Sequence, residues 1–596
     1  MCGILGSNFS KESVVDSALS TMTHRGPDYG NVISKNKWVF GHRRLAIIDL
    51  NRESNQPFTE GPYTLTFNGE IYNFKEIRTE LEEEGISFKT DSDTEVLFRL
   101  MVHKGEKAIA SLRGMFAFVF YDEELDRLLL ARDSFGIKPL YYYHLDGSIC
   151  FGSTITALKE LGVKTIVDDS AIAEFLVCGF VNEPRTGFQN IKKLPPQTYA
   201  VFSDGTLTIR EYKCTNVTSK NLRESLKMSI QEQLNSDVPV GLFFSGGVDS
   251  SLLLSFLFDK DDIDVVTVRE KREAEKAAGK SSDYNAAQEI AARNNVKISY
   301  LDIDSHKGKL LEDIAFIMEN IEELIADHTF LPSYQMSANF RRNGKIVALS
   351  GMGADELFFG YNRFRALKYK WLLNLLSPFL SILDSHPYWT KKTDRLRYFI
   401  LEKNPFFAYY SLVSPFNLNE VRNLLKNENE LNRIEFFGYD KKARLTNADL
   451  LEIERMGFLA HNLTVADKSS MLASIELRVP LLSEILLEYA RSRRAKGFVF
   501  MGITKAPLKV LAIGFMGLKS VFRAKRGFNP ILDTLLDELG EEQLLKELNL
   551  SPIFNYITKE ETTKIAREHF AGRKNHTYKI YNLLCLAKWL QINLDK

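Results

Sequence analysis

Short apolar runs recur through the first 210 residues, at 38–40, 45–48, 63–67, 116–120, 128–131, 140–143 and 149–151. Turn residues such as Asp146-Gly147 separate several of them, and the pattern predicts strands. Residues 74–84 and 93–103 carry helical spacing instead. Strands outnumber helices and their connections are short. That combination predicts antiparallel pairing with helices packed on the sheet faces.

The pattern changes after about residue 205, where Ser203-Asp204-Gly205 forms a turn and 214–220 a polar linker. From Leu222 onward strand and helix alternate. Strands are predicted over 238–244, 265–268, 297–303 and 345–349, and helices over 250–258 and 285–293, with a long helical stretch ahead of 345–349. This alternation predicts a parallel sheet with covering helices. Beyond about residue 360 the pattern is mostly helical, with no internal repeat and no low-complexity segment. The expected domains are residues 1–210 and 221–596.

Composition narrows the functional classes. At roughly 100–200 residues per domain, 596 residues allow two to four domains. Hydrophobic residues make up 44%, enough to bury large cores. Lys+Arg and Asp+Glu each number 77, so net charge gives no pull toward nucleic acid or an anionic membrane. The short basic run 491–496 reads as a solvated helix end. Cysteines at 2, 150, 178, 214 and 585 are odd in number, widely spaced and without a CxxC pair. They argue against a disulfide framework or zinc site and for a reducing compartment. No basic stretch followed by an apolar core opens the chain, so no signal peptide is expected. The most apolar stretch, 371–383, is broken by Asn374, Ser377 and Pro378 and is too short to span a bilayer. A cytoplasmic protein without membrane or nucleic-acid partners is expected.

The chain opens Met1-Cys2-Gly3-Ile4. Removal of Met1 leaves Cys2 with a thiol and a free α-amine on one carbon, so the amine can act as a built-in base. Alone, a cysteine after methionine reads as a small buried residue. The neighbouring segments change that reading: His24-Arg25-Gly26-Pro27-Asp28, Gly41-His42-Arg43-Arg44-Leu45, Asn68-Gly69-Glu70-Ile71-Tyr72-Asn73 and Thr90-Asp91-Ser92-Asp93-Thr94-Glu95. Arginine suits an α-carboxylate, Asp and Glu an α-ammonium, and Asn with a backbone N–H an oxyanion. Each segment alone reads equally well as a turn or a helix cap. Together they form an inventory for binding and hydrolysing glutamine.

These segments, with Phe116-Ala117-Phe118, residues 132–141 and Phe151-Gly152-Ser153, resemble the class II glutamine amidotransferases. The resemblance implies an N-terminal-nucleophile αββα sandwich with Cys2 as nucleophile and Asn68 and Gly69 as oxyanion hole. It also implies a glutamine site of Arg44, Ile48, Asn68, Gly69, Glu70 and Asp93.

Ser245-Gly246-Gly247-Val248-Asp249-Ser250-Ser251 follows a predicted strand and opens a helix. Its glycines and helix-start N–H groups suit a polyphosphate, and Asp249 suits a divalent cation. The Gly-Lys-Ser/Thr end of a Walker A loop is missing. Leu349-Ser350-Gly351-Met352-Gly353-Ala354-Asp355-Glu356 is a second strand–loop–helix. Both loops belong at the C-terminal ends of parallel strands, where ligands bind. With Tyr361, residues 467–471, residues 476–482 and Lys505, this half resembles the asparagine synthetase family, and the resemblance spans nearly the whole chain, from Cys2 to about Phe528.

That resemblance implies a parallel-sheet, adenine-nucleotide α hydrolase-like domain of the pyrophosphatase-loop kind, with a helical C-terminal part. It implies ATP contacts at Leu242, Ser245, Gly246, Gly247, Asp249, Ser250, Val268, Ser350, Gly351 and Tyr361. Magnesium would lie on Asp249 and Asp355, with Lys505 as the catalytic cation, and an ammonia tunnel would join the halves. The partners implied are glutamine, ATP and a carboxylate acceptor, and a homodimer is compatible. Aspartate, giving asparagine, is the first choice of acceptor. A sugar uronic acid, a secondary-pathway carboxylate, or an inactive nucleotide-binding paralogue are the alternatives. Met352 departs from the family, standing where its second loop carries Glu, and 269–280 is an unusual charged insert.

Overall fold

The computed structural model describes residues 2–215, 221–257, 263–270, 283–303, 310–376, 395–434, 436, 438–492, 497–523 and 532–594. Parts of several sequence features lie outside these residues: linker positions 216–220, position 258 of the expected helix 250–258, insert positions 271–280, positions 377–383 of the apolar stretch, and positions 493–496 of the basic run.

The first half is built on strands β1 (Gly3–Ser7), β2 (Tyr29–Lys35), β3 (Trp38–Arg44), β4 (Phe58–Glu60), β5 (Tyr63–Ile71) and β6 (Gly114–Asp122). There follow β7 (Arg127–Arg132), β8 (Tyr141–Leu145), β9 (Ser148–Gly152), β10 (Lys192–Lys193), β11 (Thr198–Ser203) and β12 (Thr206–Glu211). They form two six-stranded sheets, ordered β10-β8-β9-β1-β3-β2 and β12-β11-β7-β6-β5-β4. All their pairings are antiparallel, as the short connections predict. Asp146-Gly147 and Asp204-Gly205 turn two of the hairpins with positive φ at both residues, the twist that matches paired strands.

Alternation along β6 makes the layers. Phe116, Phe118 and Phe120 pack with Ile77, Leu81, Val96 and Leu100 of the helices Phe74–Glu83 and Asp93–Lys104. Ala117, Val119 and Tyr121 face the first sheet and pack with Ile4, Trp38, Phe40 and Phe151. The outer face of the first sheet is covered by Val15 and Leu19 of the helix Glu12–Ser20. The result is the helix–sheet–sheet–helix sandwich of an N-terminal-nucleophile fold.

The strand expected at 45–48 is absent. The β3 ladder stops at Arg44, whose carbonyl accepts the Asp28 N–H, and the Asp28 carboxylate then takes the Ala46 N–H at 2.8 Å. Leu45 and Ile47 are nevertheless buried. Their apolar character reflects packing at the edge of the sandwich, which short periodicity does not distinguish from a strand.

In the second half β13 (Val240–Phe243), β14 (Asp264–Glu270), β15 (Ser299–Ile303), β16 (Val347–Leu349) and β17 (Glu476–Arg478) form one parallel sheet. Its order is β15-β14-β13-β16-β17. The chain winds outward from β13 in both directions, so a crevice opens where β13 meets β16. The fifth strand, β17, lies in the region expected to be helical. At three residues it is too short to show a period. Among the described residues, no helix is long and apolar enough to cross a membrane.

Candidate active site

Cys2 sits at the start of β1, 7% exposed. Its backbone nitrogen donates to Asn68 Oδ1 at 2.9 Å. Phe67 and Ile71 of β5 point into the helix-facing core, so Asn68 and Glu70 face the opposite side of the strand, where Cys2 lies. Asn68 Nδ2 is buried and has no hydrogen-bond partner among the described residues. A buried amide donor beside a thiol fits an oxyanion. Gly69 completes the geometry. Its φ is +147°, and a Cβ there would stand 2.0 Å from the Met115 carbonyl oxygen. Burial pushes the Cys2 thiol up, against the lowering effects of the Leu45 backbone and Arg44. A base is therefore needed to make the thiolate.

Glu70 and Asp93 are both buried. Asp93, first residue of its helix, accepts the Ile71 N–H at 3.0 Å. Burial raises its carboxyl to about 6, with Glu476 adding to the rise. Glu70 is raised as well, by burial and then by Glu476 and Asp93. At Glu476 burial is outweighed by Arg478 and Lys138, and the carboxyl is held down at about 2. Such a cluster gains from an incoming cation, as an α-ammonium is. Arg44 is placed differently from an open carboxylate fork. Nη1 donates to the Asn51 carbonyl at 2.8 Å and to Asn55 Oδ1 at 2.7 Å. Nη2 donates to the carbonyls of Ile48, at 3.3 Å, and Asp49. Arg44 and Ile48 thus shape the loop over Cys2, and a ligand carboxylate must replace some of these bonds.

The second cluster forms in the crevice between β13 and β16. Leu242 is buried on β13, and Val268 is half-buried near the end of β14. Ser245, Gly246 and Gly247 lead into the helix Val248–Ser255. Ser250 Oγ lies 3.2 Å from Ser245 Oγ and donates to the Gly247 carbonyl at 3.3 Å, so the hydroxyls brace the loop. The Ser350–Gly351 loop lies directly on this turn. A Cβ on Gly351 would meet the Asp249 Cβ and the Ser250 nitrogen at 2.9 Å each.

Lys505 joins the two loops. Its Nζ stands 2.6 Å from Asp249 Oδ2 and 2.8 Å from Asp355 Oδ1. Asp249 Oδ1 is buried without a hydrogen-bond partner among the described residues. Two converging carboxylates, one with an orphaned oxygen, fit a magnesium ion whose other ligands are phosphate oxygens and water. Tyr361 turns aside. Its hydroxyl donates to Glu356 Oε1 at 2.6 Å, and Asn462 Nδ2 donates to the same oxygen at 2.8 Å. Met352 is half-buried and packs against two apolar clusters. Arg269, at the start of the charged insert, pairs with Asp302 at 2.6 Å.

Two arginines reach from one half to the other. Arg25 Nε donates to the Cys2 carbonyl at 3.2 Å, and its other nitrogens pair with Asp467 of the helix Phe458–Met471. Arg478 of β17 reaches Glu70 at 3.6 Å. Sequence reasoning registered both only as parts of motifs. The available signal was a charged residue inside an otherwise apolar or turn segment, which marks burial with a partner but not the partner's identity.

Residues 1–213 match the family described as "Glutamine amidotransferase domain", and residues 221–591 the family described as "Asparagine synthase". The chain is 30% identical to asparagine synthetase (glutamine-hydrolyzing) 1 of Bacillus subtilis, covering 100% of this chain and 97% of that one. It is 30% identical to asparagine synthetase (glutamine-hydrolyzing) 3 of the same organism, over 82% and 80%. To asparagine synthetase B of Escherichia coli it is 33% identical, over 61% and 65%. A sandwich carrying Cys2 beside Asn68, followed by a parallel sheet carrying Lys505 between two aspartates, thus accompanies matches to both families, and the chain belongs to the asparagine synthase family as a glutamine amidotransferase of that type.

Proposed function

We propose that this enzyme takes ammonia from glutamine and uses ATP to amidate aspartate, giving asparagine, AMP and pyrophosphate. The observation carrying this reading is Lys505 bridging Asp249 and Asp355 at the mouth of the crevice, in one chain with the Cys2 pocket. In this reading residues 1–210 form the glutaminase domain and 221–596 the synthetase domain.

Cys2 Sγ attacks the glutamine side-chain carbonyl, its proton passing to the α-amine left by removal of Met1. Asn68 Nδ2 and the Gly69 N–H receive the oxyanion. Glu70 and Asp93 hold the α-ammonium, and Arg44 with the Ile48 loop holds the α-carboxylate. Ammonia leaves, and water frees glutamate from the thioester. In the second half, the phosphates of ATP lie against the N–H groups opening the helix Val248–Ser255. The adenosine end lies toward Leu242 and Val268, with Ser350, Gly351 and Tyr361 on the opposite wall. Asp249 and Asp355 would hold magnesium, which when bound neutralises phosphate charge. The acceptor carboxylate displaces pyrophosphate at the α-phosphorus, and Lys505 stabilises the charge that develops. Ammonia then displaces AMP from the acyl carbon, its surplus proton passing to solvent.

A second reading rests on Met352. An apolar side chain where the family carries Glu favours a larger or less polar carboxylate than aspartate. Pyrophosphate release with ATP and glutamine across a panel of carboxylates decides between them. The first reading requires release that depends on aspartate with matching asparagine. Release with a uronic acid and none with aspartate establishes the second. Cys2→Ala must abolish release supported by glutamine and keep release supported by ammonia.

A further inference from the structure

Arg478 touches both centres through different parts of itself. It ends β17, where its register partner on β16 is Leu349, the residue before Ser350. The Arg478 carbonyl accepts the Ser350 N–H at 2.9 Å, the first backbone contact of the Ser350–Gly351 loop. Its guanidinium points into the other half and stands 3.6 Å from Glu70 Oε2.

The side chain is fully buried and firmly held on one side. Nη1 donates to the carbonyls of Gln233 and Asn235, at 2.8 and 2.6 Å, and Nε donates to Glu476 Oε1 at 2.6 Å. Nη2 is different. Neither Nη2 nor Glu70 Oε2 has a hydrogen-bond partner among the described residues. A buried guanidinium and a buried carboxyl thus face one another just beyond hydrogen-bond distance. Leaving buried charged groups unbonded is costly, and the arrangement is relieved when either group gains a partner.

An α-ammonium on Glu70 supplies that partner and weakens the pull of Glu70 on Arg478. The guanidinium then responds mainly to Glu476, two residues earlier on the same strand. Because the Arg478 carbonyl anchors Ser350, a shift at the end of β17 is transmitted to the loop by one hydrogen bond. We propose that Arg478 is a positioning residue coupling glutamine occupancy at Glu70 to nucleotide binding at Ser350. The proposal rests on the functional reading above, with Glu70 as ammonium partner and Ser350 in the ATP loop.

The test uses full-length Cys2→Ala protein, which lacks the nucleophile and leaves bound glutamine intact. ATP with magnesium is titrated calorimetrically in the absence and presence of saturating glutamine, and glutamine is titrated with and without ATP. Coupling requires glutamine to change the ATP Kd by about 5-fold or more, and ATP to change the glutamine Kd by the same factor. Adding Arg478→Lys keeps the charge and removes the planar fork. It is expected to bring both ratios to one while glutamine and ATP still bind. A merely structural role would weaken binding without changing the ratio. An ATP Kd indifferent to glutamine, or a ratio that survives Arg478→Lys, overturns the proposal. If Arg478→Lys does not fold, Arg478→Gln takes its place in the same comparison, and a ratio that survives it overturns the proposal. Failure of Cys2→Ala protein to bind glutamine or ATP at all overturns the functional reading too, so the two failures are told apart.

Discussion

Arg25 and Asp467 form a buried pair across the two halves, at 2.8 and 3.3 Å, while Arg25 Nε holds the carbonyl of Cys2. The nucleophile's backbone is therefore fixed by a residue whose charge is balanced from the other half. Asp467→Asn leaves the Arg25 charge buried without its counter-ion, a change worth about 3–5 kcal/mol. Urea denaturation should show that loss, with glutamine hydrolysis falling alongside. Replacing both residues by apolar ones should recover much of the stability but not hydrolysis, since the Cys2 carbonyl has then lost its donor. At Asp467 burial is outweighed by Arg25, Lys138 and Lys468, and the carboxyl lies below its ordinary 3.8. Its stabilisation is present above pH 3.8 and disappears as pH falls through the lowered folded value.

Asp93 titrates the other way. Burial raises its carboxyl to about 6, so it is neutral below that pH and a poor partner for an ammonium. Glutamine affinity should rise with pH through about 6, and Glu70, whose carboxyl is raised too, adds to the rise. The measurement is the glutamine Kd of Cys2→Ala protein between about pH 5 and 8, a window free of the nucleophile's own titration. Asp93→Asn should weaken binding and flatten the profile. A profile of unchanged shape in Asp93→Asn protein would remove Asp93 from the ammonium site.

Lys505 lies between two carboxylates that repel one another without it. Lys505→Met removes the cation and keeps most of the side chain's bulk. Pyrophosphate release should fall by about 10²–10³-fold, the usual loss for a group that stabilises transition-state charge. Glutamine hydrolysis, whose residues lie in the other half, should persist. Pyrophosphate release at the parental rate would place the adenylation chemistry elsewhere.

Met352→Glu restores the carboxylate of the family loop. Assayed with aspartate, ATP and ammonia, it should raise asparagine formation above the parental level, by up to the ~10²–10⁴-fold that general base help supplies. The half-buried, apolar surroundings of Met352 work against this gain by disfavouring a charged side chain. Absence of asparagine from both proteins, with another carboxylate triggering pyrophosphate release, excludes aspartate as acceptor.

Local patterns carried much of this structure. The alternation of Phe116, Ala117, Phe118 and Val119 already implies a strand with two buried faces, and the helices over Phe74–Glu83 and Asp93–Lys104 follow from their own spacing. The strand–loop–helix units at Ser245 and Ser350 were legible because loop chemistry and helix start are adjacent in the chain. Each of these depends on neighbours within a few residues, which is the range over which backbone geometry repeats.

The tertiary structure decided what side chains far apart in sequence do to one another. Arg25 and Asp467 are 442 residues apart, yet they share one buried contact. No periodicity records that pairing, nor the turn of Arg44 toward its own loop, nor the placing of Lys505 between Asp249 and Asp355. β17 shows the same limit, since three residues are too few to display a period and only the edge offered by β16 makes them a strand. The sequence alone therefore determined which chemical groups the protein carries and the elements that bear them. The packing of the two halves decided which groups meet, because electrostatic and hydrogen-bond partners are chosen by distance in space and by burial from water.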